Sequence, residues 1–122
     1  METKGRGETY QGDIMVLGWW YRHSYLKVVG FLAYDTKRTE WTEEEVKNAI
    51  KWVIRVRNYR KINRHRRRLL AYDYLRYDRD TKTYTPGTET AWVVDALKTI
   101  PPGKITTIKQ LWYEIKKALT GS

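Results

Sequence analysis

The chain has 122 residues, enough for one domain with its own core, and it contains no cysteine, which excludes disulfides, thiolate metal sites and cysteine nucleophiles. Its net charge is +10, while 41% hydrophobic and 14% aromatic residues supply apolar surface that a disordered chain lacks. No apolar run reaches the roughly 18 residues of a membrane span and no signal-peptide core follows Met1, so the expectation is a soluble intracellular protein without a membrane partner.

Residues 1–12 are rich in glycine and charge and read as a flexible arm, and residues 13–122 read as a single small domain. From Asp13 to Tyr34 two apolar runs rich in β-branched and aromatic residues flank Arg22-His23-Ser24-Tyr25. This pattern predicts a β-hairpin over 13–34 with a four-residue connection. Both its faces would be apolar, so a homo-oligomer made through the hairpin is one way to cover it.

A helix start follows at Thr42, which with Glu45 has the spacing of a capping box, and Trp41 and Val46 can staple across it. Val46, Ala49, Ile50, Val53 and Val56 continue at helical spacing. A break is expected near Asn58-Tyr59, and a second helical segment from Ile62 to about Leu70 would turn Arg64, Arg67 and Arg68 to solvent. Nine basic residues and no acid lie between Lys51 and Arg68, so this stretch, inside a basic helical region at 42–70, by itself carries +9 against a net charge of +10.

Seven of the nine are arginines, whose planar forks suit phosphate oxygens and whose faces stack on bases. His65, set among them, reads as a phosphate contact rather than a general base. Residues 71–86 carry alternating tyrosines around Asp78-Arg79-Asp80 and read as a hairpin or wing. Asp73, Asp78 and Asp80 read as turn formers, and no metal site is expected. A helix pair is predicted over 89–119, interrupted at Pro101-Pro102-Gly103. Its second helix is capped by Thr107 and Gln110 and presents Ile108, Leu111, Trp112, Ile115 and Leu119. Such a pair is either a helix-turn-helix or a plain helical hairpin.

Leading into and across that pair, Gly87-Thr88 followed by Val93-Val94-Asp95-Ala96-Leu97 and Ile100-Pro101-Pro102-Gly103-Lys104-Ile105-Thr106-Thr107 resembles a segment of the alkylguanine-DNA alkyltransferases and alkyltransferase-like proteins. The resemblance spans about residues 87–116. It implies that Thr106, Thr107 and the helix from Ile108 lie near a DNA backbone. Ile108 stands where that family has tyrosine, and without cysteine the family's alkyl transfer is not implied.

The expected fold class is α+β, with an N-terminal β-hairpin packed against a small helical bundle of helix-turn-helix or winged-helix character. The expected function is non-enzymatic nucleic-acid binding, with duplex DNA favoured over RNA. The expected contacts are Arg55, Arg57, Arg60, Lys61, Arg64, Arg66, Arg67 and Arg68, joined by Lys104, Thr106, Thr107 and Lys109. No cofactor or catalytic residue is expected. The expected location is the cytoplasm or nucleoid; alternatives are an oligomeric nucleocapsid or chromatin-like coat, then located in a virion, an RNA-binding module, or a metal-dependent nuclease using Asp78 and Asp80.

Overall fold

Apolar residues between Gly18 and Thr36 form one helix, α1 (Gly18–Thr36), in a computed structural model that describes residues 18–121. The expected arm at 1–12 and the first residues of the expected hairpin lie outside the described part. The hairpin over 13–34 is thereby corrected, since Arg22 to Tyr25 continue the helix. The reason lies in where α1 sits. Three further helices pack around it, and Tyr25, Val28, Val29, Leu32 and Ala33 are all buried. A helix covered on most sides is apolar on most sides, so no helical stripe stands out from its sequence. β-branched and aromatic propensity yields to that burial. The same burial covers most of the apolar residues from Tyr25 to Tyr34 with the protein's own helices, while Trp19 and Trp20 at the start of α1 stay exposed.

α1 ends where Lys37 turns left-handed (φ 59°), and Thr36 accepts a hydrogen bond from the Trp41 indole at 2.9 Å. The capping box of α2 (Glu43–Ile54) is formed: the Thr42 hydroxyl accepts from Glu45 N–H at 3.1 Å, and the Glu45 carboxylate accepts from Thr42 N–H at 2.9 Å. Val46, Ala49, Ile50 and Val53 are its buried stripe. Arg55, left-handed at φ 64°, stops the helix. After a connection of four residues, 55–58, the Asn58 side chain accepts from the N–H groups of Arg60 and Lys61 and starts α3 (Tyr59–Ala71).

β1 (Leu75–Asp78) and β2 (Thr83–Pro86) follow as an antiparallel hairpin in the expected 71–86 segment, with Tyr77 opposite Tyr84. Asp78 closes the turn by accepting from Asp80 N–H at 2.8 Å. Pro86, lacking an N–H, ends the strand. On the other edge of β2, Trp41 and Tyr84 exchange both backbone hydrogen bonds, at 2.8 and 2.7 Å, so the segment before α2 adds a one-residue third strand. Gly87 then turns the chain against Asp73, so closely that a Cβ would lie 1.8 Å from the Asp73 carbonyl oxygen.

A 3₁₀ turn (Thr88–Thr90) leads into α4 (Ala91–Leu97), and α5 (Ile108–Leu119) closes the described chain. Thr107 and Gln110 form the second capping box. Residues 98–107 separate the two helices, longer than the three or four residues of a helix-turn-helix. Gly30 of α1 lets both helices come close, for a Cβ there would meet Ile115 Cδ1 at 3.0 Å and Leu97 Cγ at 3.6 Å. The fold is α+β, as expected, with its hairpin after the third helix instead of at the N-terminus. One continuous core joins α1, α2, α3, the hairpin, α4 and α5.

Candidate nucleic-acid interface

α3 divides its side chains cleanly. Ile62, His65 and Leu69 recur at helical spacing and are buried, which leaves Arg60, Arg64 and Arg67, at i, i+4 and i+7, on the opposite side. All three are exposed, and Lys61 beside them is exposed as well. The stripe from Arg60 to Arg67 runs about 10 Å along the helix at ~1.5 Å per residue. Among the described residues no carboxylate lies within ion-pair distance of any of the nine basic residues from Lys51 to Arg68. Arg60 and Lys61 also occupy the first turn, where the helix dipole is itself positive, and no acid is present there to offset them. Their like charges make this end of α3 a strongly anion-attracting surface.

Two of the expected contact arginines have structural partners. Arg66 reaches across to the hairpin, donating to the Tyr84 hydroxyl at 3.0 Å and to Asn63 Oδ1 at 3.3 Å. Arg68 donates to the Tyr21 hydroxyl of α1 at 3.2 Å and lies over its ring at 5.1 Å. Both are half-buried and fasten α3 to its neighbours. His65 lies on the inner face, 8% exposed, with Nδ1 2.8 Å from the Tyr25 hydroxyl, so the reading of it as a phosphate contact is corrected. Burial first, then the charges of Arg68 and Arg64, lower its pKa and keep it neutral. Burial also pushes the Tyr25 hydroxyl up to about 12, so this pair stays uncharged near neutral pH.

The remaining expected residues converge elsewhere. A groove of about 950 Å³ runs between the C-terminal half of α2 and the start of α5, lined by Asn48, Lys51, Trp52, Arg55, Arg57, Thr106, Thr107 and Ile108. Arg55 and Arg57 from the basic stretch and Thr106 and Thr107 from the C-terminal pair, some fifty positions apart in sequence, thus share one cleft. Lys104 and Lys109 are exposed but do not line it. The capping box occupies the Thr107 hydroxyl and the Gln110 carboxamide, so the positive character of the groove comes from Lys51, Arg55 and Arg57.

Asn48, Lys51 and Trp52 were not among the expected contacts. The signal was present in the sequence, since all three fall off the Val46, Ala49, Ile50, Val53 stripe and so onto the outer side of α2. Elsewhere, Asp78 is engaged in the hairpin turn and Asp73 pairs with Arg76 at 2.9 Å. Among the described residues no three His, Asp or Glu side chains gather where they could hold a metal ion, and no helix is long and apolar enough to cross a membrane. Comparisons with protein-family models, curated proteins and solved structures return no match to this chain.

Proposed function

We propose that the protein binds duplex DNA without catalysing a reaction, using α3 as the recognition helix of a winged helix-turn-helix. The observation that carries this reading is the exposed, unpaired stripe Arg60, Arg64, Arg67 on a helix whose inner face is anchored in the core. The element order supports it. α2, a four-residue connection and α3 have the dimensions of a helix-turn-helix, and the β1–β2 hairpin follows as the wing, tied by Tyr84 to Trp41. α1 is then the first helix of the unit and α4 and α5 are additions to it.

In such an arrangement the first turn of α3 enters the major groove, about 12 Å wide in B-form DNA. Arg60 and Arg64 fork onto phosphate oxygens or the O6/N7 edge of guanine, with Lys61 and Arg67 on the flanking backbone. A-form RNA has a major groove too deep and narrow for this, which favours DNA. Arg66 and Arg68 act indirectly, by fixing how α3 stands on the hairpin and α1. The threonines at 106 and 107, which the alkyltransferase resemblance implies are near a DNA backbone, lie in the groove beside Arg55 and Arg57.

The test is fluorescence anisotropy on a labelled duplex between about 50 and about 200 mM salt. Removing one arginine that neutralises a phosphate lowers the slope of log affinity against log salt by about 0.9. The combined variant Arg60→Ala, Arg64→Ala, Arg67→Ala therefore has a slope shallower by up to about 2.7 and binds weakly at every salt concentration. Wild-type protein that fails to bind duplex at the lowest salt, or a triple variant that binds unchanged, refutes the proposal.

A further inference from the structure

The groove between α2 and α5 has a chemistry that the outer stripe of α3 lacks. Its wall includes an aromatic ring as well as cations. Trp52 is 37% exposed there, and its indole is stacked on Phe31 with ring centroids 4.5 Å apart and planes 19° apart. Phe31, half-buried on α1, thereby holds the indole in place before any ligand arrives. Beside it stand Lys51, Arg55 and Arg57, which have no carboxylate partners among the described residues. Asn48 adds a carboxamide, able to donate to and accept from the edge of a base. The volume of about 950 Å³ lies at the upper end of the range of small-molecule sites, roughly 300–1,000 Å³.

We propose that this groove is a nucleotide site, in which a base stacks on Trp52 while its phosphate lies among Lys51, Arg55 and Arg57. Each half of that ligand has a separate receptor in the wall. A bare anion would use the cations and leave the indole idle, and an apolar ligand would leave three cations without partners. A nucleotide uses both, and a ring already stacked on one face loses little freedom when a base covers more of it. The nucleotide is either free in solution or an unpaired residue of a nucleic-acid strand. The inference does not rest on α3 gripping a duplex, because the two surfaces share none of the residues that define them.

Isothermal titration of the full chain with adenosine monophosphate, ribose 5-phosphate, inorganic phosphate and a short single-stranded oligo(dA) tests it. Trp52→Ala is expected to weaken binding about ten- to a hundredfold, and Trp52→Phe to restore most of it, since stacking accounts for that much per base. Arg55→Gly removes a cation at a left-handed position that glycine occupies without strain, so it lowers affinity while leaving the fold intact. Binding of both adenosine monophosphate and oligo(dA) assigns a free-nucleotide site, and binding of oligo(dA) alone assigns an unpaired strand; either supports the proposal. It is overturned if ribose 5-phosphate binds as tightly as adenosine monophosphate, if Arg55→Gly binds unchanged, or if neither nucleotide probe binds. The triple variant of α3 keeps nucleotide binding whatever its effect on duplex DNA, so failure of one reading is distinguishable from failure of the other.

Discussion

His65 makes the stability of this protein depend on pH in a direction that can be worked out. Its imidazole is buried against Tyr25, and burial, Arg68 and Arg64 all lower its pKa in the fold. The unfolded chain titrates near the ordinary value of about 6.5. Between the lowered value and 6.5 the unfolded state binds more protons, so stability falls as pH falls and is fully present above the unfolded value. One proton limits the slope to about 1.4 kcal/mol per pH unit. His23 is lowered too, by burial and then by Lys27 and Arg22, so the two together allow at most about 2.7.

His65→Asn separates the two contributions. Asn presents a polar atom near the position of Nδ1, so the Tyr25 hydroxyl, which is fully buried, keeps that partner; His65→Ala removes it and leaves the hydroxyl to Arg68 alone, at an added cost of about 1 kcal/mol. Urea unfolding followed by circular dichroism from about pH 7.5 to about pH 5.5 measures the slope, above the range where carboxylates such as Glu45 and Asp73 dominate. The wild type is expected to lose stability through this window, and the Asn variant to lose it less steeply by up to about 1.4 kcal/mol per unit. Equal slopes for the two proteins, or a wild type that gains stability on acidification, would refute the reasoning.

Three further outcomes follow from local geometry. Gly87→Ala drives a Cβ to 1.8 Å from the Asp73 carbonyl oxygen, backbone against backbone, and is expected to cost upwards of about 3 kcal/mol in urea unfolding; a loss under about 1 would show that the hairpin end yields easily. Arg55→Gly relieves a left-handed residue worth about 1–2 kcal/mol and gives back about 0.4–1 through the freer unfolded chain. Its melting temperature should therefore rise by a few degrees, and a fall would count against the assigned cap geometry. Thr42→Ala breaks the capping box of α2 and should cost about 0.5–2 kcal/mol by the same urea assay, with no loss indicating that the box contributes nothing.

Much of this architecture was legible because its signals are local. Thr42 with Glu45, and Thr107 with Gln110, mark helix starts by a spacing of three, and both boxes are formed. The tyrosine-rich 71–86 segment pairs as a hairpin through turn chemistry carried by Asp78. α1 was illegible because a helix enclosed by others has no polar face to give it a period. His65 looked like one more basic residue in a charged run, and only its place on the Ile62–Leu69 side of α3 shows it facing inward.

The groove was hidden for a different reason. Arg57 and Thr106 are neighbours only because α5 packs across α1 and comes to rest beside α2, and no pattern along the chain encodes that approach. Composition and spacing determined by themselves that the charge is concentrated between Lys51 and Arg68, that helices begin at Glu43 and Ile108, and that the chain folds as α+β. Spacing also turned Arg64 and Arg67 to solvent, whereas tertiary packing alone decided that Arg68, expected beside them, joins Arg66 as a fastener, and that two distant polar segments share one cleft. Charge density is a property of sequence, whereas burial, which sets whether a charge meets solvent, a partner or a ligand, depends on what packs against it.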